Sequence, residues 1–141
     1  AEAERADALL RPPGWRVAHE YLALWDSPQA RAAELPAAAV RAPALLVSGA
    51  ADGLWPSAVG AARLAERLTS SPSVRHVSFP DVGHTIGVPH EAQPFVGVRI
   101  WRDGYFGVER GFIDVGGRPE AAGRAARESF SLACTFLQEH G

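Results

Sequence analysis

Two short apolar runs separated by a single helical stripe constrain this chain more than anything else in it. Arg41-Ala42-Pro43-Ala44-Leu45-Leu46-Val47-Ser48-Gly49 is a short continuous apolar run closed by glycine, the pattern of a strand buried on both faces of a parallel sheet. Pro56 suits the first turn of a helix, where its missing N–H costs nothing. From there Val59, Ala62, Leu64, Ala65 and Leu68 continue an apolar stripe to about Thr69. Ser70-Ser71-Pro72 ends that helix, and Val74 to Phe79 reads as the second strand. The strand–helix–strand order makes the strands parallel neighbours joined by a right-handed crossover, so the fold class is α/β.

The flanks are simpler. Residues 1–40 read as a helical lead-in: Ala1 to Leu10 is stopped by Arg11-Pro12-Pro13-Gly14, and Trp15 to Asp26 carries Val17, Tyr21, Leu22, Leu24 and Trp25 at helical spacing. Ser27-Pro28 begins a further turn. Residues 41–141 hold the strands. Between Pro89 and Gly117, Phe95 to Trp101 alternates, Arg102-Asp103-Gly104 offers a turn, and Tyr105 to Val108 is expected to return as a hairpin on the rim of the sheet. After Gly116-Gly117, one long helix is expected from Pro119 to His140, with Ala122, Ala126, Phe130, Ala133, Cys134 and Leu137 along its packed face.

Composition removes several function classes. With 141 residues, 47% hydrophobic, the chain can build one ordinary core. Net charge is −2 with the signs interspersed, so neither a nucleic-acid face nor a polybasic membrane patch is present. All 14 basic residues are Arg, which fits a high-GC coding sequence. The single cysteine, Cys134, excludes an internal disulfide, and no apolar stretch approaches the ~18–20 residues that span a bilayer. No signal peptide is visible at Ala-Glu-Ala-Glu-Arg, and a reducing, cytoplasmic setting is the expectation. The chain has no initiator Met, and its first residue is not expected to be the natural start.

The chemistry sits just past the two strands. Asp52 follows the first in Gly49-Ala50-Ala51-Asp52-Gly53, and His84 follows the second in Asp81-Val82-Gly83-His84. Both therefore belong to the carboxyl edge of the sheet, where open α/β folds place their sites. A carboxylate that orients an imidazole gives a general base near neutral pH, and acid before histidine is the chain order that closes an α/β-hydrolase triad. Alone, an Asp in a glycine-flanked turn can merely cap the backbone, and a Gly-His after a strand can be inert. Their joint placement after successive strands favours a catalytic pair.

The remaining candidates are weaker. Asp81 could compete as the orienting acid, but it shares a short loop with His84. His76 falls within the second strand, and His19 and His140 lie in helices. His90, near Asp81 and Glu91, lacks the partner spacing of a metal site, so no metal and no cofactor is implied. Cys134 sits mid-helix and reads as a small hydrophobe. Trp55 after the acid loop reads as a cover for the core or as a pocket wall. A nucleophile is missing: no Gly-x-Ser-x-Gly or Gly-x-Cys-x-Gly occurs, and neither Ser48 nor Ser57 stands on a strand-to-helix elbow.

From Ala39 onward these phrases resemble the C-terminal catalytic region of acyl-CoA thioester hydrolases and bile acid-CoA:amino acid N-acyltransferases, which are α/β-hydrolases. The resemblance rests on Val40 to Ser57, above all the acid loop running into Trp55-Pro56-Ser57. It rests further on Phe79 to Ile86, and on Gly116-Gly117-Arg118-Pro119 leading into the Ala-rich helix. It implies two-step acyl transfer from an acyl-CoA or related thioester: Ser or Cys attacks, coenzyme A leaves, and water or an amino acid takes the acyl group. His84 would act as base and then acid, and Asp52 would orient it. On this view the chain is the C-terminal part of a longer hydrolase, whose upstream part supplies the nucleophile and most of the oxyanion hole, and it is expected to be inactive alone. Its first strand would expose a sheet edge open to self-association. The alternatives are another α/β-hydrolase chemistry (esterase, dienelactone hydrolase or peptidase-like) and a catalytically incomplete interaction module.

Overall fold

The computed structural model describes residues 18–86, 97–100 and 111–141. The helix expected over residues 1–10 and His90 lie outside the described residues. Helix α1 (Ala18–Trp25) and the short α2 (Pro28–Ala32) form the lead-in, and the Ser27 hydroxyl caps α2 by accepting from the Ala30 N–H at 3.1 Å. Tyr21, Leu22 and Trp25 of α1 are half-buried, whereas Leu24, expected on the same face, is 59% exposed. Leu24 lies three positions after Tyr21, yet it falls outside the strip that α1 presents to the rest of the chain.

A 3₁₀ turn (Ala37–Ala39) leads to β1 (Ala44–Gly49), then α3 (Ser57–Arg67) and β2 (Val74–Phe79). β1 and β2 pair in parallel and in phase from Ala44 opposite Val74 to Gly49 opposite Phe79. The pairing continues at both ends, with Ala44 N–H donating to the Ser73 carbonyl (2.8 Å) and Ala50 N–H to the Phe79 carbonyl (2.9 Å). Pro56 occupies the N-cap of α3 rather than its first turn, and Ser57 Oγ ties the helix back to the Gly49 carbonyl at 3.1 Å. β1 is less buried than its sequence predicts: Leu45, Leu46 and Val47 are half-covered, and only Ser48 and Gly49 are buried. Among the described residues β2 is its sole strand neighbour.

β3 (Gly97–Ile100) pairs antiparallel with β4 (Gly111–Asp114), Ile100 facing Gly111. An antiparallel pair is therefore present in this region, with Gly111–Asp114 opposite Gly97–Ile100, whereas the return expected over Tyr105–Val108 lies outside the described residues. The turn expected at Arg102-Asp103-Gly104 likewise lies outside the described residues.

Helix α4 runs from Pro119 to His140 as expected. Its buried residues are Ala121, Ala122, Gly123, Ala125, Ala126 and Phe136. Ala121 and Ala125 join Phe79 and Val82 in the core, with Val47, Val77, Ile86 and Leu132 packed around them. The expected face is correct in the first turns and only partly so beyond them, because Phe130 (57%) and Leu137 (68%) are exposed while Leu132 and Phe136 pack inward. Cys134 is exposed and does not belong to the packed stripe. No helix among the described residues is long and apolar enough to cross a membrane.

Candidate active site

Beyond β1 the backbone bends sharply enough for Ala51 N–H to donate to the Val82 carbonyl at 2.9 Å, which places the loop after β1 beside the loop after β2. Asp52 then turns its side chain back on its own loop. Its Oδ1 accepts the N–H groups of Leu54 and Trp55, both at 2.9 Å, so the carboxylate folds the loop into an Asx-type turn. Its Oδ2 lies 3.1 Å from Nδ1 of His84. One carboxylate oxygen thus braces the loop and the other meets the imidazole.

The two partners differ in access. The Asp52 side chain is 3% exposed and that of His84 is 34%, so the carboxylate is shielded while the imidazole can still be reached from outside. An ionised carboxylate only accepts, which makes Nδ1 the protonated nitrogen and leaves the Nε2 lone pair of the neutral ring as the basic site. That is the tautomer a general base needs when it removes a proton from a hydroxyl or thiol.

The other candidates are occupied elsewhere. Asp81 serves through its backbone: it adopts φ 57° and its carbonyl accepts the Arg118 N–H at 2.8 Å. Ser48 is buried and paired with Nε2 of His76 across the strands at 2.9 Å, which satisfies both polar groups within the sheet. Ser57 donates to the Gly49 carbonyl. His19 is exposed on α1, and His140 lies at the end of α4 with its ring 4.5 Å from that of Phe136. Trp55 is 37% exposed and stands against Tyr21 of α1, ring centroids 4.1 Å apart. With the Ala18 N–H donating to the Gly53 carbonyl at 3.1 Å, this contact docks the lead-in on the acid loop, a link sequence reasoning did not anticipate.

Sequence reasoning also missed Val115. Its carbonyl accepts the N–H of Gly53 (3.1 Å) and the N–H of His84 (2.9 Å), one from each loop. Gly116-Gly117 was legible in the sequence only as a lead into the last helix. Close backbone approach is the signal those glycines carried.

Parallel strands with flanking helices and loops at the carboxyl edge are the architecture of an α/β-hydrolase-type domain. Residues 9–141 match the family described as BAAT / Acyl-CoA thioester hydrolase C terminal, and the chain belongs to that family. It matches no curated protein.

Proposed function

We propose that this chain supplies the base and the orienting acid of a Ser/Cys-His-Asp triad that transfers the acyl group of an acyl-CoA thioester. The observation that carries the reading is the 3.1 Å contact between Asp52 Oδ2 and His84 Nδ1 at the carboxyl ends of adjacent parallel strands. Membership of a family described by thioester hydrolysis supports the substrate class. His84 takes the proton of the attacking hydroxyl or thiol through Nε2 and returns it to the departing coenzyme A thiolate. Asp52 holds the ring in the required tautomer and stabilises the imidazolium formed between those steps. The nucleophile comes from outside these 141 residues, since no elbow motif occurs in them and Ser48 and Ser57 are both bonded elsewhere. Water as acceptor gives hydrolysis, and an amine gives an amide.

The test uses the natural gene product that carries this chain. Thiol release from a series of acyl-CoA substrates is compared with p-nitrophenol release from matched esters. The reading predicts the higher kcat/KM on thioesters. Turnover confined to the ester would move the chain to an esterase chemistry, and no turnover on either would favour an interaction module.

A further inference from the structure

The segment Val115–Gly117, just before α4, touches both loops of the pair at once. Asp52 is bridged antiparallel to Gly116, and Val82 to Gly117. The buried Val115 directs its carbonyl to the N–H groups of Gly53 and His84, and Arg118 adds its own N–H to the Asp81 carbonyl. Together with the Ala51 to Val82 bond, these backbone hydrogen bonds hold the two loops in one frame.

The approach leaves no room for a side chain. A Cβ on Gly116 would stand 1.9 Å from the Ala51 carbonyl oxygen, and one on Gly117 would stand 2.1 Å from the Gly83 nitrogen. Both glycines also adopt the left-handed backbone, φ 77° and 80°, which a side chain disfavours. To bring the Gly116 contact to an ordinary 3.4 Å, a Cβ there would have to push the acid loop away by about 1.5 Å. The Asp52–His84 bond is already 3.1 Å long, and hydrogen bonds fail beyond roughly 3.5 Å. The displacement is therefore larger than the margin of the bond it threatens.

We propose that Val115–Gly117 is a clasp that sets the spacing of Asp52 and His84, which makes Gly116 and Gly117 positioning residues for the reaction. The consequence for turnover rests on the triad reading above, whereas the consequence for the Asp52–His84 bond does not.

The experiment compares Gly116→Ala and Gly117→Ala with Phe136→Leu in the natural gene product. Phe136 is buried on α4 some five turns from the clasp, so its truncation loosens the core without entering either loop. The first readout is the downfield proton NMR signal of the His84 Nδ1–H, assigned by its loss in His84→Ala. The second is kcat and KM on an acyl-CoA. Both glycine variants should lose the signal and about a hundredfold in kcat with KM little changed, while Phe136→Leu keeps both. Retention of signal and kcat in Gly116→Ala would overturn the clasp. If His84→Ala itself leaves turnover intact, the triad reading fails, and the signal in the glycine variants still decides the clasp. Should the glycine variants not fold, hydrogen exchange in the unaltered protein decides it. The Gly53 and His84 amides share one acceptor and should open together, and exchange free energies differing by more than about 1.4 kcal/mol, a tenfold ratio, would contradict it.

Discussion

At Asp52, Oδ1 holds the backbone of its own loop and Oδ2 holds the imidazole, so substitution can separate the two tasks. Asn keeps an oxygen for the Leu54 and Trp55 N–H groups but turns an NH₂ toward His84, which then presents its lone pair at Nδ1 and carries its proton at Nε2. Asp52→Asn should therefore lower kcat by roughly 10⁴-fold, the scale of a wrong-tautomer triad, and leave the melting temperature near its original value. Asp52→Ala removes the acceptor as well, leaving two loop amides without their partner, and should cost a further 1–3 kcal/mol or so of stability. Paired thermal melts and rates on the two variants separate these effects. Equal stability losses in Asn and Ala would show that Oδ1 does not brace the loop.

Among the elements, α4 shows best what the sequence carried and what it did not. Its limits were legible because Pro119 suits a first turn and the Ala-rich run that follows is a strong helix former. Its packed face was only partly legible: Phe130 and Leu137 are apolar at helical spacing, yet Leu132 and Phe136 face inward. Periodicity fixes a stripe's repeat but not which of two adjacent stripes meets the sheet, and here the small residues Ala121 and Ala125 decide by fitting closely on Phe79 and Val82. Ala125 is 1% exposed, so Ala125→Leu should overpack that contact and destabilise by about 1–3 kcal/mol. Phe130→Ser should stay within about 0.5 kcal/mol of the original protein. Denaturant midpoints for the two variants check the register, and the reverse order would place Phe130 in the core.

For the whole molecule, the crossover β1–α3–β2 explains why the acid and the histidine could be singled out from sequence at all. Each follows a strand, and parallel strands in phase bring their following loops to one edge. The rest of the site was not legible, because it is made by backbone atoms of residues distant in sequence. Val115 and Gly116 have no side-chain chemistry to announce that they meet Gly53, His84 and Asp52. Helix α1 likewise reads as a separate lead-in but is docked on the acid loop through Ala18 and Tyr21.

If Asp52 and His84 act as one device, removing the second member after the first should cost almost nothing, since the imidazole is the group through which the carboxylate works. The decisive measurement is acyl-CoA turnover by the natural gene product and by Asp52→Ala, His84→Ala and the double variant under one set of conditions. Losses of several orders of magnitude in each single variant, with the double variant no slower than His84→Ala, are the predicted result. Near-normal rates in either single variant, or losses that multiply in the double, would contradict the account.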